Sequence, residues 1–302
     1  MSGVIAILIA TIIWGAAPPL FKYSLTDIPP FTLAFIRFFF SGLIFLPSML
    51  QNGKLLTGLE LKNILLGGLW GISINIAFFF LGLQLAPSIN VHLIGSIGPI
   101  ILYFLSLTML QERPHPQIVK GMFISLLGTA CIILGPFFRH TESGLTQQGG
   151  STISVLLGNF FFLLSTLGSV FIIVYNKKVC KTVNIYLITG IQFLFGAMTF
   201  APFMMYELRT WTFSSLNYHS WVGIIYGTIF SSAIAYFAYN YAVSKMHAQE
   251  MGLYSYILPV ISIAIAIPLL GEYPDIFFVI GSLGIFFGIY ISEKHKKYIK
   301  TK

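Results

Sequence analysis

Charge is what this chain lacks most. Only 9% of its 302 residues are Asp, Glu, Lys or Arg, against about 25% in ordinary soluble domains, while 56% are hydrophobic and 29 are Phe. A polypeptide with so little polar surface cannot cover a water-soluble globule, so its solvent is a bilayer. Cysteine is scarce as well, limited to Cys131 and Cys180. No Cys-x-x-Cys, His-x-Glu-type or Gly-rich phosphate motif occurs. Metal, redox and ATP-driven chemistry therefore have no carrier, and no cofactor or metal is expected.

Runs of about 20 apolar residues read as membrane spans. There are ten: Val4–Phe21, Phe31–Leu50, Ile64–Leu85, Ile89–Leu110, Ile118–Phe138, Ile153–Tyr175, Ile185–Tyr206, Trp221–Val243, Met251–Leu270 and Ile276–Ile291. Only Ala86-Pro87-Ser88 divides the third from the fourth; Pro87 stops the helix because it lacks a donor and clashes with the preceding turn. No Lys or Arg precedes the first run, which marks it as a span rather than a signal peptide. The nine acidic residues, Asp27, Glu60, Glu112, Glu142, Glu207, Glu250, Glu272, Asp275 and Glu293, all fall at span ends or in loops. A midplane carboxylate relay has no support, so any proton coupling falls to His92 or to the more peripheral Glu250.

The cations set the orientation. Thirteen of the 17 Lys and Arg (Lys54, Lys62, Arg113, Lys120, Lys177, Lys178, Lys181, Lys245 and five in the tail) fall on one side; Lys22, Arg37, Arg139 and Arg209 fall on the other. The positive-inside rule then places both termini in the cytoplasm of a multi-pass cell-membrane protein. The basic tail reads as an anchor on anionic lipid, not as a nucleic-acid site. Cys131 and Cys180 lie on opposite sides of the bilayer and cannot form a disulfide.

The chain repeats itself. Pro99, Glu112, Pro114, Gly121 and Gly128 recur 160 positions later as Pro259, Glu272, Pro274, Gly281 and Gly288. Aligning Leu93–Gly128 with Leu253–Gly288 without a gap gives ten identities in 36 positions, against about three by chance for so apolar a chain. Five spans per copy is an odd number, so the second copy sits upside down. The expected fold is an all-α integral membrane protein of ten transmembrane helices, two inverted five-helix repeats around a central cavity. Residues 1–138 form the first repeat, 139–152 an external Gly/Ser/Thr/Gln-rich linker and 153–302 the second repeat with its basic cytoplasmic tail.

Trp14-Gly15 followed by Pro18 and Lys22, the Phe35-Ile-Arg37-Phe segment and the doubled Pro...Leu-x-Glu-x-Pro...Gly block resemble the EamA-type branch of the drug/metabolite transporter superfamily. The resemblance covers nearly the whole chain. It implies a basket of helices whose cavity is lined mainly by the first, third, fourth, sixth, eighth and ninth spans, with both termini cytoplasmic. The family handles amino acids, purines, other metabolites and toxic compounds, so its motifs do not name a substrate. One departure stands out: Arg37 in the second span has Gln192 near its counterpart position in the seventh.

Candidate cavity residues follow from cost. Backbone freed by Pro inside a span is tolerated where it lines a polar cavity, which marks the segments ending at Pro99 and Pro259 as hinges or site walls, with Ser96, Tyr254 and Tyr256 beside them. Single polar residues in spans also need partners: Asn75, His92, Asn159, Gln192 and Asn240 are the set, an interhelical hydrogen bond being the plainer alternative for each. Trp14 and Tyr236 complete the cavity candidates. Glu112 and Glu272 sit at hinges, as caps or gating groups. Arg37 is the most expensive residue, at roughly 2–3 kcal/mol at full depth; it either snorkels to the outer headgroups or occupies a polar pocket, and with Lys22 on the same side it could form an anion-attracting vestibule.

Enzyme readings fail because the Gly95-Ser96-Ile97-Gly98 segment lacks a facing histidine base; His92 lies on the same helix. The reading that remains is a secondary transporter, exporter or facilitator, for a small organic metabolite such as an amino acid, working by alternating access. A transporter-fold receptor without net flux is the alternative. The partners are the solute and the bilayer, with the oligomeric state open, a monomer included.

Overall fold

The computed structural model describes residues 2–51, 55–109, 116–134, 151–245, 254 and 257–299. Among them every element is helical and there is no strand. Six helices are long and apolar enough to cross a membrane, Gly3–Ser24, Pro30–Gln51, Gly58–Leu85, Thr152–Val179, Ile185–Glu207 and Tyr218–Ala242, and shorter apolar helices accompany them.

Local chemistry sets the boundaries. Helix α1 (Gly3–Ser24) starts at Ser2, whose hydroxyl accepts from the Ile5 N–H, the ordinary way to satisfy a first-turn donor. Helix α2 (Pro30–Gln51) begins on a proline, which needs no acceptor in the first turn. Its next donors are taken by Glu207, the last residue of a distant helix: Phe31 N–H at 3.1 Å, Thr32 N–H at 2.6 Å and Thr32 Oγ1 at 2.8 Å. A carboxylate there also meets the positive end of the α2 dipole. Glu207→Ala is expected to cost about 1–2 kcal/mol, read as a lower melting temperature of the purified protein, with Glu207→Gln recovering part of it.

Helix α3 (Gly58–Leu85) opens on a Thr57/Glu60 capping box and passes through a π-helical stretch, Leu69–Ile74. The fourth apolar run is broken into α4 (Asn90–Gly95) and α5 (Gly98–Met109), with Ser96 and Ile97 bonded back only three residues. Then come α6 (Pro116–Leu134), α7 (Thr152–Val179, capped by Ser151) and α8 (Ile185–Glu207, capped by Asn184). Helix α9 runs through Tyr218–Ile225, a second π stretch Tyr226–Ile234, and Ala235–Lys245. Helices α10 (Ile257–Leu270) and α11 (Ile276–Ile299) complete the order. Gly271 ends α10 at φ 64°, a left-handed position that glycine adopts without strain.

The two halves correspond helix by helix. Shifting by 160 lays the first π stretch on residues 229–234, inside the second. The first two helices of each half correspond at 155 instead: Leu25 and Cys180 are both C-caps whose N–H returns to the residue four back, Phe21 and Asn176. Five extra residues between α8 and α9 make up the difference, 160 − 155. The packing obeys the same exchange. Helix α2 lies on α8 and α6 on α11, each pair mapping onto itself, while α3 on α7 mirrors α9 on α1, and α10 on α1 mirrors α4 and α5 on α7.

Two expectations shift. Pro99 occupies the first turn of α5, where a missing N–H costs nothing, rather than the middle of an unbroken span; Pro259 is the third residue of α10, and Ser255 and Tyr256 before it lie outside the described residues. The third helix starts six residues before the expected Ile64, at Gly58.

Candidate functional site

Two consecutive prolines make the middle of α1 unusual. Each helical carbonyl accepts from the N–H four residues on, and Pro18 and Pro19 have none, so the carbonyls of Trp14 and Gly15 lose their donors. His92 of α4 answers the first, its Nε2 lying 3.1 Å from the Trp14 oxygen. A carbonyl only accepts, so Nε2 carries the proton and, in the neutral ring, Nδ1 is left as an acceptor. The Trp14 ring N–H donates to the Ser231 carbonyl in the second π stretch at 3.0 Å, and the Tyr226 hydroxyl donates to the Ile13 carbonyl.

Around Trp14 the rings converge. Tyr236 meets it edge-on at 5.2 Å and Tyr239 at 5.0 Å, tilted by 50°. Tyr254 belongs to the same cluster between α1 and α9. Trp14, His92, Tyr236 and Tyr239 are all held deep among α1, α4 and α9, yet each keeps part of its surface accessible. Together they make a partly accessible aromatic cluster at the junction of α1, α4 and α9. Its π faces can stack a planar ring or hold a cation, and its hydroxyls can orient a polar group.

At the Lys22 end of α1 lies an ionic knot. The Lys22 ammonium donates to the Ala86 carbonyl at 2.6 Å and lies 2.8 Å from Glu272 Oε1. Glu272 Oε2 accepts from Ser88 Oγ at 2.7 Å and from the Ile89 N–H at 3.2 Å. Oε1 has no hydrogen-bond donor aligned on it, so its contact with Lys22 is charge to charge. Glu272 is 3% exposed and Lys22 22%. The knot ties α1 to the α3–α4 and α10–α11 connections.

Arg37 does not snorkel. At 2% exposure it is the largest of the fully buried side chains among the described residues, sandwiched between Phe21 and Phe38 at 4.9 and 4.7 Å. It donates to Ser232 Oγ at 2.6 Å and Ser231 Oγ at 3.0 Å. The expected vestibule shared with Lys22 gives way to two separate arrangements, Lys22 being engaged by Glu272.

A family model described as the EamA-like transporter family matches residues 1–134 and again 156–293. The chain belongs to this family. An uncharacterized transporter, YetK, of Bacillus subtilis is 22% identical over 98% of this chain and 88% of its own. An uncharacterized transporter of Archaeoglobus fulgidus is 25% identical over 92% and 94%. An aromatic amino acid exporter, YddG, of Ancylobacter novellus is 22% identical over 84% and 83%. A solved crystal structure shares the fold with a TM-score of 0.66 at 19% identity, covering 98% of both chains. This is therefore a multi-pass helical membrane protein of a two-repeat transporter family.

Within this EamA-like frame the remaining polar candidates hold helices together. Asn75 donates to Gly71 O and accepts from Ser165; Asn159, fully buried, accepts from Asn90 at 2.8 Å; Asn240 donates to Thr189 at 3.0 Å. Gln192 binds Ile64 O and Asn176. The Ser96 hydroxyl donates to the His92 carbonyl one turn back. Tyr256 and Glu112 lie outside the described residues.

Tyr226, Tyr239, Ser231 and Ser232 were missed by sequence reasoning; the two serines on the π stretch gave no signal, whereas the tyrosines follow helical spacing from Tyr236. Two apolar grooves, of about 860 Å³ between α2 and α9 and about 240 Å³ beside Pro259 and Phe278, open on the flanks away from the ring cluster. Such surfaces suit acyl chains.

Proposed function

We propose that this chain is a secondary transporter, exporter or facilitator, of a small organic solute bearing an aromatic ring, with aromatic amino acids the first class to test. The observation that carries the reading is the ring cluster of Trp14, Tyr236 and Tyr239, partly accessible at the junction of α1, α4 and α9. The similarity to a protein named an aromatic amino acid exporter points the same way.

The working mechanism is alternating access by two inverted five-span halves, residues 1–138 and 153–302, joined by 139–152, with both termini cytoplasmic. The exchange symmetry of the helix packing supports it, since equivalent halves can trade the roles of open and closed. In this conformation the Lys22–Glu272 pair closes the outer side. The Pro99 and Pro259 segments serve as the hinges or site walls.

Uptake of labelled L-phenylalanine and L-tryptophan by proteoliposomes, with and without a pH gradient, tests the reading. Saturable flux is expected, and Trp14→Ala is expected to lower it at least about tenfold while Trp14→Phe keeps more, because the ring face remains. Absence of flux for every ring-bearing solute under both gradients would leave a receptor of the same fold as the better account.

A further inference from the structure

Among the described residues Arg37 is a fully buried cation whose counterpart in the other half is neutral. Arg37 and Gln192 occupy equivalent positions in the second helix of each half, 155 residues apart. Both are 2% exposed. Both bridge to the third helix of the opposite half, and each faces a glycine there, Gly227 and Gly67, which are 160 residues apart. A β-carbon on Gly67 would lie 2.5 Å from the Gln192 amide nitrogen; one on Gly227 would lie 3.2 Å from Arg37 Cδ. Gln192 does the bridging with a neutral amide, donating to Ile64 O at 3.2 Å and Asn176 Oδ1 at 2.8 Å. The second half thus makes this bridge with a neutral donor, and the charge belongs to the first half alone.

That charge meets two ring faces and two hydroxyls but no anion. Among the described residues no carboxylate pairs with Arg37; Phe21 and Phe38 lie against the guanidinium, its hydrogen-bond partners are two serine hydroxyls, and Nη1 has no hydrogen-bond partner. Thr228 Oγ1, on the same π stretch as the serines, is also buried without a partner. The single Ser41 hydroxyl hydrogen is shared between the Arg37 and Thr228 carbonyls, at 2.7 and 2.9 Å, which ties the two backbones together there. Arg37 adjoins the ring cluster: Ser231, whose hydroxyl accepts from Arg37, accepts from the Trp14 ring through its carbonyl.

We infer that Arg37 is the anion subsite of the transport path, receiving the carboxylate of a solute whose ring lies against Trp14 and Tyr236. This rests on the transporter reading above and names the solute class as aromatic carboxylates. A guanidinium fork matches a carboxylate in two parallel bonds. Ser231, Ser232 and Thr228 are hydroxyls, able to accept from Arg37 in the empty state and to donate to the anion in the filled one. They sit on a π-helical stretch, a backbone form found mainly at functional sites.

The test uses purified full-length protein as wild type, Arg37→Gln and Arg37→Lys, and three probes sharing one ring: L-phenylalanine, 3-phenylpropionate and phenethylamine. Binding is read by tryptophan fluorescence and thermal shift, and flux in proteoliposomes. Arg37→Gln, the residue the other half already uses, is expected to fold and to weaken both carboxylate probes about 10- to 100-fold, with phenethylamine unchanged. Arg37→Lys should recover part of the loss. Equal effects on all three probes, no effect on any, or failure of the wild type to bind either carboxylate would overturn the subsite. Arg37-dependent binding without flux would instead sink the transporter reading, and flux indifferent to Arg37 would keep that reading and sink the subsite.

Discussion

Lys22→Met is expected to loosen the junction of α1 with the α3–α4 and α10–α11 connections and to lower the melting temperature. Removing the ammonium leaves Glu272, 3% exposed, with Ser88 Oγ and the Ile89 N–H on one oxygen and nothing on the other. Breaking a buried pair by deleting one partner costs about 3–5 kcal/mol. Lys22 is itself 22% exposed, so solvent already screens part of the attraction and about 3 kcal/mol is the appropriate end of that range. The system has two ways to recover: Glu272 takes a proton, or the α3–α4 and α10–α11 connections part and water reaches it. The second raises labelling of a Ser96→Cys reporter by a membrane-impermeant maleimide added from outside. Glu272→Gln should act similarly, and the double variant should be no worse than either single one. A coupling above about 1 kcal/mol identifies contact rather than coincidence. Additive losses with unchanged labelling would reduce the pair to a surface tether.

The duplication was legible because prolines, glutamates and glycines mark positions that apolar drift does not erase, and Pro99/Pro259 and Glu112/Glu272 are such marks. The family followed from the same residues. The correspondence of the first two helices was visible only as Arg37 opposite Gln192, because its offset is 155 rather than 160 and the five extra residues fall in a connection with no marker of its own. Polar partners were harder. Sequence could price Asn75, Asn159 and Asn240 but not pair them, since Ser165, Asn90 and Thr189 lie 90, 69 and 51 residues away. The burial of Arg37 was undecidable for a further reason: a long side chain at that depth reaches headgroups or core equally well, and the choice was made by Gly227, whose missing side chain opens the space. Glu207 read as a span-end acid; nothing local says that it caps another helix.

Replacing Gly128 by valine is expected to give the largest loss of folded protein of any single change considered. Helices α6 and α11 cross backbone to backbone there. A β-carbon on Gly128 would stand 2.6 Å from the Gly281 carbonyl oxygen and 2.8 Å from the Ile285 nitrogen, and one on Gly281 would stand 2.7 Å from the Gly128 oxygen. Those neighbours are main chain and cannot rotate away, so the helices must separate. In a bilayer, helices associate through close packing of small residues without a hydrophobic force to offset lost contacts. The exchange of halves maps Gly128 onto Gly288 and Gly281 onto Gly121, both buried, so the glycines repeated at 160 positions mark this one symmetric crossing. Overpacking of this kind costs about 1–3 kcal/mol for a yielding core, and more where backbone is the obstacle. Gly128→Ala already places the offending atom and should show an intermediate loss. Gly58→Val is the control, since nothing lies within 4 Å of a β-carbon there. Monodisperse yield on size exclusion and melting temperature read the series; if Gly128→Val matched Gly58→Val, the crossing would not be what holds the two halves together.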